Sequence, residues 1–177
     1  MVAETDKRAL ADNCRLALYR FFFAFPPKKK KVIGMFDIFV CLDPLVKQGL
    51  TFDWADDQWR IYDIETIREI RKYSFWKEGI GGLDYELPFH DCDDFAELCK
   101  ALWSMFWDTN CLGRCKGNII YNEQITPHAF DIVIAINEKD EVKAYLFDTQ
   151  FNTEPVELTD NLPSFNLTSW RINSVRL

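Results

Sequence analysis

The sequence predicts an α+β domain in which one central, mostly buried helix packs on an antiparallel sheet. Three observations predict it. Residues 93–107 carry Phe95, Ala96, Leu98, Cys99, Leu102, Trp103, Met105 and Phe106, which makes the helix apolar on more than one face, as a helix inside a core is. Residues 128–136 and 141–148 are rich in β-branched and aromatic residues and flank the turn-like Asn137-Glu138-Lys139-Asp140, the pattern of a β-hairpin. No linker separates the 177 residues into halves, so they read as one domain with a small N-terminal addition.

From the N-terminus, residues 4–25 place Leu10, Cys14, Ala17, Leu18, Phe21, Phe22 and Phe25 at helical spacing, and Pro26-Pro27 ends that amphipathic helix. Lys28, Lys29, Lys30 and Lys31 form a short basic run, read as a solvated connector rather than an anion site. Residues 32–41 are β-branched and aromatic and predict a strand. Residues 1–49 are accordingly expected to be accessory to a main domain of residues 50–177. Ile61, Ile64, Ile67 and Ile70 recur every three residues and predict a helix over 63–76 with Asp63 as its N-cap, stopped by Gly79, Gly81 and Gly82. After the central helix comes a loop with Asn110 and Gly113, then a short strand over 118–121. The hairpin follows, with weaker strands near 155–158 and 169–177.

Composition narrows the function classes. Hydrophobic residues make up 48% of the chain and aromatics 15%, which excludes a disordered chain. A formal net charge of −7 gives no basic face for nucleic acid. The six cysteines are irregularly spaced, and charged residues from Glu4 to Arg8 interrupt the start, so reduced thiols in a cytoplasm are expected rather than a secreted disulfide scaffold. No apolar run reaches the ~20 residues of a membrane span.

The chemistry centres on Cys92, which opens the central helix. Free N–H groups and the helix dipole favour a thiolate there. His128, one of two histidines, and Asp148 follow in the chain; thiol, imidazole and carboxylate are the parts of an activated nucleophile. The hairpin pattern unites them. With Phe130, Ile132, Ile134 and Ile136 opposite Leu146, Ala144, Val142 and Asp140, one nearly continuous apolar face forms and His128 lies opposite Asp148. That face is expected to pack on the central helix. Gln150 shares it and is a candidate for substrate or oxyanion support. Asp91, Asp93 and Asp94 disfavour a thiolate unless they turn away or a cation offsets them. A zinc set of His90, Cys92, Cys111 and Cys115 has suitable ligand types but loose spacing.

Cys92-Asp93-Asp94-Phe95-Ala96, His128-Ala129-Phe130-Asp131 and Leu146-Phe147-Asp148-Thr149-Gln150 resemble the papain-like cysteine peptidase domain at the C-terminus of a mushroom agglutinin, and related phage and bacterial proteins. The resemblance covers roughly residues 50–177. It implies a papain-like fold with Cys92 as nucleophile, His128 as general base and Asp148 as orienter. It departs from the family pattern in lacking Gly before the histidine and Asn three residues after it, and in carrying Asp148-Thr149-Gln150 for Glu-Pro-Gln. Similarity to calcium-dependent peptidases makes Asp93 and Asp94 candidate Ca2+ ligands. Two functions follow: a thiol-dependent hydrolase (cysteine protease) acting on an amide or ester of a peptide or protein, in the cytoplasm, including that of a phage-infected host; or a catalytically inactive papain-like fold acting as a phage accessory or structural binding module. Neither nucleic acid nor a membrane is an expected partner.

Overall fold

Elements with two periods, near 3.6 and 2, build the fold, and the computed structural model describes residues 28–53, 56–72, 92–107, 109–121, 124–149, 153–159, 164–165 and 168–177. The N-terminal helix expected over residues 4–25 and the glycines at 79, 81 and 82 lie outside them. In chain order the elements are β1 (Lys30–Gly34), α1 (Met35–Cys41), α2 (Asp43–Val46), β2 (Thr51–Asp53), β3 (Gln58–Asp63), α3 (Ile64–Lys72) and α4 (Cys92–Trp107). Then come β4 (Leu112–Tyr121), β5 (Gln124–Ile136), β6 (Val142–Phe147), β7 (Val156–Glu157), β8 (Ser164–Phe165) and β9 (Thr168–Arg176).

The described strands form one sheet in the order β1-β3-β5-β4-β9-β2, with β6 and β7 continuing from β5 and β8 lying on β9. It is mixed rather than purely antiparallel: β3 runs parallel to β5 and β2 parallel to β9. β4 pairs with β5 as far as Val133, and β3 takes over beside Ala135 and Ile136. β5 is thus flanked along its C-terminal half, which suits its unbroken apolar run: Phe130, Ile132, Val133, Ile134 and Ala135 are all fully buried.

Several local expectations are corrected. The strand expected over 32–41 ends at Gly34 and is followed by a helix, α1. Asp37 accepts the Gly34 N–H at 3.2 Å, and Ile38, Cys41, Leu42 and Leu45 bury at helical spacing, so the apolar residues of this stretch obey period 3.6. The short strand expected over 118–121 is the end of the ten-residue β4, which includes Gly113 from the expected loop. The weak strand near 169–177 is β9, held between β4 and β2. Asp63 does cap α3, accepting the Thr66 N–H at 2.9 Å.

The hairpin register differs by two residues from the expected one. Ile136 lies opposite Val142, Ile134 opposite Ala144 and Ile132 opposite Leu146. This releases Asp140 from the apolar face into the turn, where it has φ 68°, and Asn137 donates to and accepts from Glu141 and its neighbours to close the loop. A two-residue shift preserves side-chain parity, so every residue keeps its face. The side on which the long helix packs is also corrected. Trp103 of α4 stacks on Phe147, with ring centroids 6.1 Å apart, and Phe147 lies opposite Asp131. α4 therefore covers the face of Asp131 and Phe147, not that of Phe130, Ile132 and Ile134. Leu177 meets the latter face: a Cβ on Gly113 would sit 2.6 Å from the Leu177 Cδ2 and 3.2 Å from the Ile132 Cγ2. No helix among the described residues is long and apolar enough to cross a membrane.

Candidate functional site

Cys92 is the first residue of α4. Its sulfur meets the chain where β5 becomes buried. The Ala129 N–H donates to the Cys92 Sγ at 3.2 Å, and His128 hydrogen-bonds the same thiol. On its other side the His128 Nε2 lies 2.5 Å from the Asp148 Oδ2, which leaves Nδ1 for the sulfur. His128 and Asp148 are buried, at 8% and 2% exposure, whereas Cys92 is partly open to solvent. Reactive sulfur at the surface and its partners in the interior is the arrangement a nucleophile needs.

The residues that the sequence singled out as Cys92, His128 and Asp148 are thus brought together, by a route slightly different from the expected one. In the observed register Asp148 is not directly opposite His128. It has left β6, which ends at Phe147, and reaches His128 diagonally on the shared face. Phe130 stacks near the imidazole, with centroids 6.4 Å apart, and walls it in. Burial pushes the His128 pKa down, but hydrogen bonds and charge from Asp148 and Cys92 outweigh it and raise the value to about 9. At neutral pH the imidazole is therefore held as imidazolium between carboxylate and sulfur.

Residues that sequence reasoning missed deal with the acidic surroundings. Arg114 of β4 reaches the Glu97 Oε1 at 2.9 Å and the Asp93 Oδ2 at 3.5 Å, and the Lys116 Nζ stands 3.7 Å from the same Asp93 oxygen. Two cations from the sheet therefore face the first turn of α4, offset Asp93 and tie the helix start to β4. Arg114 alternating with Lys116 on a strand beside the acidic turn was the available signal. Asp94 is exposed. Among the described residues no group of three or more His, Cys, Asp or Glu side chains is placed to hold a metal ion, and no step below runs through one. His90, Asp91 and Gln150 lie outside the described residues. Cys111 accepts a hydrogen bond from Thr109 at 2.9 Å and, like Cys115, is fully buried.

Burial also separates Cys92 from the other described cysteines. It pushes Cys41 and Cys111 up to about 11, and Cys99 and Cys115 well above the usual thiol range. These four are inert core residues.

No known family of proteins matches the chain, and no curated protein does. Solved structures do. One, named "PSL1a-E64 complex", superposes with a TM-score of 0.56 at 12% identity over 82% of this chain and 51% of that one. Another is a Polyporus squamosus lectin bound to the human-type influenza-binding epitope Neu5Aca2-6Galb1-4GlcNAc, with a TM-score of 0.53 at 13% identity over 84% of this chain and 49% of that one. The chain thus spans about half the length of each and shares their fold. The likeness to a mushroom agglutinin stands at that level, as a relation of fold to a lectin. The class labels expected from the sequence, hydrolase and cysteine or thiol protease, are corrected: one of the similar structures is named as a lectin and neither name is a peptidase's.

Proposed function

We propose that Cys92, His128 and Asp148 form a nucleophilic thiol centre, papain-like in its order of a helix-borne sulfur and a strand-borne imidazole, that attacks the carbonyl of an amide or ester. The observation that carries it is the double engagement of one sulfur. The Cys92 Sγ accepts the Ala129 N–H at 3.2 Å and hydrogen-bonds a histidine whose far nitrogen is 2.5 Å from a buried carboxylate. A core cysteine has no use for either partner.

The chemistry follows from those contacts. The sulfur forms a bond to the carbonyl carbon while the π pair moves to oxygen, and the Cys92 backbone N–H at the start of α4 receives that oxyanion. Collapse breaks the bond to the amine or alcohol, which takes the proton from His128 and leaves a thioester that water cleaves. Asp148 stabilises the imidazolium and fixes its tautomer.

The test is iodoacetamide at neutral pH, with each cysteine followed by mass spectrometry. Cys92 should react at least ~10-fold faster than the four buried cysteines of the described structure and lose that advantage in His128→Ala. Equal Cys92 rates in both proteins would remove the proposed centre.

A second reading, a binding module without turnover, is favoured by the lectin name of one neighbour. A cavity of about 330 Å³ lined by Gln58, Arg60, Ser104 and Asn110 supplies polar groups for it. Glycan binding that survives Cys92→Ala, with no acyl transfer in the wild type, would select this reading.

A further inference from the structure

We propose that Asp131 and Thr149 form a second clamp, on the opposite face of the sheet from His128 and Asp148, and that this pair positions Asp148 against His128. The inference rests on the thiol centre proposed above and deepens it.

The geometry starts from alternation. His128 and Asp131 are three residues apart on β5, so their side chains point to opposite faces of the sheet. Asp148 meets His128 on one face. On the other, the Thr149 Oγ1 hydroxyl donates to the Asp131 Oδ2, and the Thr149 backbone N–H also donates to this carboxyl. Residues 128 and 131 of β5 therefore grip residues 148 and 149 from both sides. The grip falls just beyond Phe147, where the β5–β6 ladder has stopped and nothing in the ladder itself fixes the Asp148 backbone. The Thr153 hydroxyl accepts the Asp148 N–H at 2.7 Å, which holds that residue's amide but not the direction of its side chain.

Asp131 is an unusual residue for the position it occupies. It is fully buried, and its Oδ1 has no hydrogen-bond partner among the described residues. The groups around it are Cys99 and Glu97 of α4, Cys115 and Arg114 of β4, and Asp148 and Thr149 beyond β6. Arg114, directly opposite on β4, turns its guanidinium to Glu97 and Asp93 instead. Burial, and the negative charge of Asp148 and Glu97, hold the Asp131 carboxyl well above the ordinary range despite the hydrogen bonds from Thr149. A neutral acid leaves one oxygen unpartnered at far lower cost than a buried carboxylate would. It also adds no charge that would compete with Asp148 for the imidazolium.

The experiment compares iodoacetamide alkylation of Cys92 in the full chain for wild type, Asp131→Leu, Asp131→Asn, Thr149→Val and His128→Ala. Asp131→Leu and Thr149→Val should each slow Cys92 at pH 7 by ~3- to 10-fold, and Asp131→Asn, which keeps the shape and polarity of a neutral carboxyl, should restore most of the rate. A variant that has merely unfolded exposes Cys99, Cys111 and Cys115 to the reagent, so their protection certifies the fold; if Asp131→Leu fails this check, Thr149→Val decides. Melting temperatures against pH give an independent readout. A raised folded-state pKa makes the wild type lose stability as pH rises above about 4, the range of a free aspartate, so Asp131→Asn should gain on the wild type between pH 4 and 7. A wild-type alkylation rate in folded Thr149→Val, or a pH-independent gap to Asp131→Asn, overturns the clamp. If His128→Ala alkylates like wild type, the thiol centre itself is what has failed.

Discussion

At the residue scale the site is a chain of charge compensation. His128 is imidazolium because Asp148 and Cys92 outweigh the effect of burial, and Asp93 is tolerable beside the sulfur because Arg114 and Lys116 face it. Replacing His128 by Ala should slow Cys92 alkylation at pH 7 by about 10-fold, because the imidazolium that stabilises the attacking sulfur is lost. Arg114→Ala leaves Asp93 and Glu97 uncompensated beside the helix start. Alkylation should fall by a few-fold, and the difference should shrink in high salt, since a half-exposed charge cluster is screened. A salt-independent difference would assign Arg114 a packing role only. Stability carries the same signature for His128. Its folded pKa, about 9 against 6.5, lies above the unfolded value, so its contribution is fully present below pH ~6.5 and lost as pH rises through about 9. The gap in melting temperature between wild type and His128→Ala should close over that window.

At the element scale β4 and β5 position everything. β5 carries His128 and Asp131 on opposite faces, and β4 brings Arg114 and Lys116 under the first turn of α4. β4 can lie so close to β9 because position 113 has no side chain. A Cβ at Gly113 would stand 2.6 Å from the Arg176 carbonyl oxygen and 2.6 Å from the Leu177 Cδ2. The carbonyl belongs to a paired strand and cannot rotate away, so Gly113→Ala should cost about 1–3 kcal/mol. That amounts to a fall of several degrees in melting temperature, with the alkylation rate of Cys92 little changed. Much of the hairpin was legible in the residues: Ile132, Ile134 and Ile136 declare their shared face by alternation. The register was not, because pairing with Asp140 or with Val142 keeps the same parity, and the choice turns on whether Asp140 joins the strand or takes the positive-φ corner of the turn.

At the scale of the molecule, the mixed sheet, α4 on one face and Leu177 on the other bury both sides of β5 and leave the Cys92 sulfur at the margin. Arg114 and Lys116 of β4 already set two positive charges against Asp93. Thermal unfolding in excess chelator should therefore match unfolding in buffer with calcium; a melting temperature raised by calcium would return Asp93 and Asp94 to the role of ligands.

The amino-acid sequence by itself determined a helix over 93–107 and the strands of the hairpin, which side chains share a face, and that a thiol, an imidazole and a carboxylate at Cys92, His128 and Asp148 belong together. These are properties of local periodicity and residue type, which neighbours in the chain carry with them. Only the tertiary structure decided that 35–41 is helical, that β3 and β2 run parallel to their partners, that α4 lies over the Asp131 face, and that Arg114, Ala129 and Thr149 join the site. Each of these depends on which distant segment covers a given face, a choice made by burial of the whole core rather than by any local pattern.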